Sequence, residues 1–207
     1  MYAYIELSNI ARTDSIIQSL SWMSYISTSP SSLNVSNDET NHENEINNDE
    51  DNNRSIPSTN QSLINFSDGW LATGNTNHIV SVTYTSIRSD ENLTIPDRTN
   101  FNLRAHRTEV RLVSWNVPFQ KLATVDEKGV IFVWVKHDNR WSLELINDRN
   151  HPVIDMAWSH DGRMTVICYE DGFVLVGSVT GQRYWSTVLN TPQAKISAVT
   201  WMPDVSQ

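Results

Sequence analysis

The stretch Ser114–Val135, SWNVPFQKLATVDEKGVIFVWV, reads as two short strands, each led in by a turn, with a tryptophan near either end. Trp158 follows Trp115 after 43 residues, and Trp201 follows after another 43. Working outward from these positions, four segments end in tryptophan: IIQSLSW (Trp22), EVRLVSW (Trp115), PVIDMAW (Trp158) and KISAVTW (Trp201). An aliphatic residue stands five before each tryptophan: Ile17, Val110, Val153 and Ile196. Leu20, Val113, Met156 or Val199 stands two before it, and Ser21, Ser114, Ala157 or Thr200 immediately before it. Apolar residues on both faces predict a strand buried on both sides. The small residue predicts one flank too crowded for a large side chain.

A second unit follows each of the first three tryptophans: WLATGNTNHIVSVTY, KLATVDEKGVIFVWV and RMTVICYEDGFVLVGSV. Each pairs two strands across a short polar, glycine-bearing turn, which is a hairpin signature. Gly129 and Gly172 lie 14 residues beyond Trp115 and Trp158. The hairpin around His78 takes the same place once an insertion of 42 residues is allowed for, and a further 8 close the interval from Trp22 to Trp115. TNFNLRA, RWSLELIND and QRYWSTVLN supply a fourth strand per unit. A period near 43 with four short strands predicts β-propeller blades. A helical-pair repeat of similar length would need an amphipathic 3.6-residue period, and none is seen.

The expected fold class is therefore all-β, an incomplete β-propeller of about three blades with a fourth begun, read as the N-terminal fragment of a longer chain. AYIEL (Ala3–Leu7) alternates like an edge strand that completes a last blade. Residues 1–25 carry this strand and the first strand of blade 1, and residues 67–207 carry the remaining blades. Between them, residues 26–66 are rich in Asn, Ser, Asp and Glu, with seven acids against one arginine. So polar a segment buries too little surface to offset the entropy of ordering, and a disordered loop insertion is expected.

The formal charge of −9 and pI near 5.0 argue against a nucleic-acid surface. Cys168 is the only cysteine, which excludes a disulfide framework. The six histidines show no metal-ligand spacing, so neither metal nor cofactor is expected. The longest apolar run, Val130–Val135, is far too short to span a bilayer, and the N-terminus lacks a secretory pattern, so a cytoplasmic chain without membrane contact is expected. Asp126, Glu127, Glu170 and Asp171 fall in hairpin turns, where Asp serves local backbone hydrogen bonds. GSVTG (Gly177–Gly181) has its serine misplaced for a nucleophile elbow. No enzyme is expected, and no protein-binding residue is singled out.

His106, in RAH, stands where many propeller repeats hold a histidine that shares a hydrogen-bond chain with a hydroxyl, a tryptophan and a turn aspartate. Its partners would be Thr124 and Trp134, with Lys128 in the aspartate slot. The next blade has Asp171 but Gly177 and Ile167 at the other places; the first has Thr73 and Asn77. On this reading no blade is complete and His106 is only partly networked. Trp115, Trp158 and Trp201 are expected in the core, and Trp70 is expected to matter less.

The blades resemble WD40 repeats, and the collinear pattern from Trp115 to Trp185 is similar to one branch. That branch holds tubby-like proteins with N-terminal WD40 repeats and the WD40 subunits of the intraflagellar-transport A complex. GWLATGN (Gly69–Asn75) and NFNLRAH (Asn100–His106) tip the resemblance toward the tubby-like members. The resemblance implies a non-catalytic propeller followed by a SOCS box that recruits elongin and a cullin, then a tubby domain. The implied role is to present substrates to a ubiquitin ligase; the alternative is a structural subunit of a ciliary transport complex.

Deleting Ser27–Ser62 is expected to leave folding intact, and limited proteolysis of the uncut protein is expected to begin there. A large fall in melting temperature on deletion would show that the segment packs.

Overall fold

The computed structural model describes residues 15–25, 65–86, 96–189 and 195–202. The AYIEL segment and nearly all of the acidic insertion lie outside these residues. Among the described residues, twelve strands form three four-stranded antiparallel sheets, each in sequential order. Blade 1 comprises β1 (Ile17–Tyr25), β2 (Asn65–Asn75), β3 (Ile79–Ser86) and β4 (Asn100–Arg104). Blade 2 comprises β5 (Val110–Asn116), β6 (Lys121–Asp126), β7 (Val130–His137) and β8 (Arg140–Asp148). Blade 3 comprises β9 (Val153–Trp158), β10 (Met164–Tyr169), β11 (Phe173–Ser178) and β12 (Arg183–Val188).

The sequence period is reproduced in the strand register. Trp22 pairs with Leu71, Trp115 with Leu122 and Trp158 with Thr165, the same position in each blade. Every residue of β6 is buried, as a strand covered on both faces requires. The β2–β3, β6–β7 and β10–β11 turns each hold one residue in the left-handed region: His78 (φ 64°), Gly129 (φ 83°) and Gly172 (φ 82°). Glycine meets this demand without steric cost, and in blade 1 a histidine meets it instead.

Successive blades are tied by one repeated bond. The Trp115 indole N–H donates to the Ser21 carbonyl at 3.2 Å, Trp158 to Ser114 at 3.4 Å, and Trp201 to Ala157 at 2.9 Å. Each acceptor is the small residue that precedes the tryptophan of the blade before. The crowded flank expected from sequence is thus the place where the next blade's tryptophan lies, and the Trp115 amide also donates to Ser21 Oγ at 3.3 Å. A large side chain there would push the blades apart. Asn116, fully buried, adds a second tie by donating from Nδ2 to the Gly162 carbonyl at 2.7 Å.

Residues 195–202 carry the pattern into a fourth unit without forming a strand. The Val199 amide donates to Asp155 Oδ2 at 2.8 Å, and Ile196, Val199 and Trp201 pack on Val166, Cys168 and Val174. On the opposite side of the array, Leu20 and Trp22 of β1 are exposed, because none of the described residues supplies the blade that a Trp22 bond would reach.

Trp70 corrects the sequence reading. It is 5% exposed and packs on Tyr84 and Phe101, with ring centroids 5.3 and 5.8 Å away, inside the core shared by blades 1 and 2. Its place in β2, an interior strand of the blade, outweighs its nearness to the insertion.

Trp115 is buried, whereas Trp158 is half-buried. Trp115→Ala is expected to destabilise the protein by about 3–5 kcal/mol, the usual cost of deleting a buried large aromatic. Trp70→Ala should fall in the same range of about 3–5 kcal/mol, and Trp158→Ala should cost less. Chemical denaturation monitored by circular dichroism orders the three.

Candidate functional site

Blade 2 contains a complete buried hydrogen-bond chain. The Trp134 indole N–H donates to Thr124 Oγ1 at 2.9 Å. The threonine hydroxyl lies 2.7 Å from His106 Nε2, and His106 Nδ1 lies 3.1 Å from Asp126 Oδ2. One assignment satisfies every group: Thr124 donates to Nε2, and the Nδ1–H of a neutral imidazole donates to the carboxylate. Asp126 Oδ1 then accepts from the Lys128 and Val130 amides, at 3.1 and 3.0 Å, which folds the β6–β7 turn. Burial lowers the His106 pKa, and the Asp126 carboxylate opposes that shift without overcoming it.

The aspartate slot is therefore residue 126, not Lys128, and the expectation that no blade is complete is overturned. Residues two apart on a strand share a face, so the partner lies two positions on from Thr124. The same correction applies elsewhere. Asn75, not Asn77, takes this place in blade 1 and accepts from the Asn77 and Ile79 amides at 3.0 and 3.1 Å. Tyr169, not Asp171, takes it in blade 3.

Blade 3 has dismantled the chain. Arg149 stands at the His106 position, Ile167 at Thr124, Gly177 at Trp134 and Tyr169 at Asp126. The Arg149 guanidinium lies over Tyr169 and Phe173, 4.9 and 4.1 Å from the ring centroids, and pairs with both oxygens of Asp171 at 2.9 and 2.7 Å. That pair raises the Arg149 pKa and holds the Asp171 carboxyl below its usual range. Burial pushes the Tyr169 phenol up, and its hydroxyl has no hydrogen-bond partner among the described residues.

The two seams between blades differ accordingly. Between blades 1 and 2, Trp70, Tyr84 and Phe101 meet Trp141, Trp115 and Trp134 in one aromatic cluster. Lys136 reaches over it, 4.6 Å from the Trp70 ring, and burial lowers its pKa. Between blades 2 and 3 the corresponding residues are smaller or polar. Lys121 replaces Trp70 and pairs with Glu144, Val135 replaces Tyr84, and Leu145 replaces Phe101. Gly177 replaces Trp134 on the opposing blade. A cavity of about 470 Å³ occupies this seam, lined by Ile131, Val133 and Leu145 on one side and by Met156, Ile167, Leu175 and Gly177 on the other. This hollow was not found from sequence, although the loss of Trp134 and Phe101 at matched repeat positions carries its signal. Among the described residues, no group of three His, Cys, Asp or Glu side chains is placed to hold a metal ion.

Thr124→Val removes the hydroxyl that serves both Trp134 and His106, and is expected to cost about 1–3 kcal/mol for the groups left unpaired, whereas Thr124→Ser retains the chain. The His106 pKa is lowered below its ordinary 6.5, so the unfolded chain takes up the proton first as pH falls. This contribution to stability is full above about 6.5 and is lost from there down to the lowered folded-state value. His106→Gln should flatten that part of the profile, read as the denaturation midpoint against pH.

Comparison with known proteins places this geometry. Residues 55–207 match the β-propeller family described as WDR35/TULP4 N-terminal. The chain is 53% identical over 142 residues to human Tubby-related protein 4, covering 69% of this chain and 9% of that protein. It is 38% identical over 143 residues to human WD repeat-containing protein 35, covering 66% of this chain and 12% of that one. The chain thus spans about a tenth of the length of these relatives. Among solved structures, a chain of the mitotic checkpoint complex superposes with a TM-score of 0.50 at 20% identity, covering 67% of this chain and 38% of that one. That likeness concerns the fold alone. With three WD40-type blades in one register and a family match over most of its length, the chain belongs to the WDR35/TULP4 N-terminal β-propeller family.

Proposed function

We propose that this propeller is the non-catalytic substrate-recognition part of a cullin–elongin ubiquitin-ligase adaptor of the tubby-like kind, acting in the cytoplasm. As a WD40 β-propeller of this family it is a protein-interaction domain, and the proposal gives that role a direction. The observation that carries it is the higher identity to Tubby-related protein 4, 53% against 38% for WD repeat-containing protein 35 over nearly the same length. The second reading is a structural WD40 subunit of an intraflagellar-transport complex. It draws on the 38% identity and on a family that joins both proteins. Blade geometry is common to both readings, so binding partners decide between them.

The protein at its natural length, immunoprecipitated from cells, is expected to bring down elongin and a cullin, and to lose both when sequence outside this propeller is removed. Recovery of intraflagellar-transport subunits without elongin would establish the second reading instead.

A further inference from the structure

The hollow between blades 2 and 3 is a place where the fold has withdrawn its own side chains. The same seam one blade earlier shows what normally fills such a space. There Phe101 reaches in from one blade, and Trp134 and Phe132 close it from the other. At the matched positions stand Leu145, Gly177 and Leu175, all of which line the cavity. A side chain at residue 177 could not simply be restored, because a Cβ there would lie 3.1 Å from the Gln182 carbonyl oxygen. The β11–β12 turn crosses close to the sheet at this point and touches blade 2, since a Cβ on Gly181 would overlap the Leu145 side chain. The walls are mainly apolar, and about 470 Å³ lies within the range of specific ligand pockets, roughly 300–1,000 Å³.

The polar groups at the two ends are unlike. At the end near Tyr169, Arg149 is already neutralised by Asp171, and Asp148 also lines the wall. At the other end stands Arg183, exposed, its guanidinium without an ion-pair partner among the described residues. Arg183 pairs directly with Gly177 in the β11–β12 ladder. Paired residues send their side chains to the same face of a sheet, so this cation stands beside the vacated tryptophan position. An aromatic body and an acidic neighbour are what this arrangement lacks.

We infer that the cleft between blades 2 and 3 is a recognition pocket for a partner peptide that inserts an aromatic side chain where blade 3 has lost its tryptophan and sets an adjacent carboxylate against Arg183. The inference deepens the protein-binding role of the propeller and rests on it. It is independent of which complex the protein joins, so its failure leaves the immunoprecipitation result standing. Bound peptide restores to this seam the packing that Phe101 and Trp134 give the first, and stabilises the folded chain by mass action.

The test is a titration of the full chain, labelled at its methionine methyl groups, with acetyl-Trp-Asp-amide. Met156 lines the cavity, whereas Met23 belongs to the core between blades 1 and 2. The Met156 methyl signal is expected to shift and the Met23 signal to stay. Acetyl-Ala-Asp-amide should have no effect. Acetyl-Trp-Asn-amide should bind about threefold more weakly, the scale of a solvent-exposed ion pair. Arg183→Gln should make the Asp and Asn peptides equal. Leu145→Phe restores the bulk found at Phe101 and should abolish binding while the melting temperature holds or rises. An unmoved Met156 signal, equal binding of the alanine peptide, or unchanged binding to Leu145→Phe would overturn the inference. Equal affinity for N-acetyltryptophan and the dipeptide would assign the pocket to small aromatic acids, and would overturn the peptide assignment.

Discussion

Everything in this fold hangs on one repeated contact, an indole N–H from one blade donated to a backbone carbonyl of the blade before. Trp115, Trp158 and Trp201 make it to Ser21, Ser114 and Ala157. A sheet interior leaves few carbonyls with a free lone pair facing sideways, and the small residue exposes one by clearing the space above it. The contact fixes two things at once: the bond sets the height of each blade along the next, and the ring area supplies apolar burial at the same place. Because the donor and acceptor sit side by side in sequence, each blade is acceptor to its successor and donor to its predecessor. That is why a one-dimensional period of 43 residues becomes a three-dimensional array.

This logic explains what could be read from the sequence. The tryptophan spacing, the small residue before each and the hairpin turns all repeat, so the strand order and the place of each hairpin turn were legible. His78, Gly129 and Gly172 were matched by counting alone, and all three have positive φ. The hydrogen-bond chain of blade 2 was misread for an instructive reason. Lys128 was given the aspartate slot opposite His106, although it lies past the end of β6, in the turn, and is exposed. Counting along the strand face from Thr124 leads to Asp126, which is where the bond lies. Trp70 was undervalued for a related reason: nearness in sequence to a polar insertion says little about which face of β2 a side chain occupies.

What the repeat could not disclose is where it is broken. A period describes the residues that blades share, and a binding site is made by those they do not. The blade 1–2 seam and the blade 2–3 seam have the same backbone construction and the same indole bond. They differ in about five side chains, and three of the exchanged residues, Leu145, Leu175 and Gly177, line an open cavity where the first seam is solid aromatic core. Each exchange taken singly resembles ordinary drift: Leu145 for Phe101, Val135 for Tyr84, Lys121 for Trp70. Only the register shows that all of them face one seam, together with the missing side chain of Gly177 on the opposing blade.

The same comparison separates the structural blade from the adaptable one. In blade 2, His106, Thr124, Trp134 and Asp126 are locked in a chain where each polar atom has a partner, so a change at any one leaves another unpaired at a cost of about 1–3 kcal/mol. In blade 3 the strand ends are held instead by the Arg149–Asp171 pair and its stacking on Tyr169 and Phe173, at the surface rather than in the interior. Moving the polar tie outward relieves the interior of its obligation to hold a tryptophan and a histidine. The space they would occupy is then free to take shape for a partner, while the indole bond of Trp158 keeps the blade in register. Recognition at such a seam uses a scaffold whose stability is secured elsewhere.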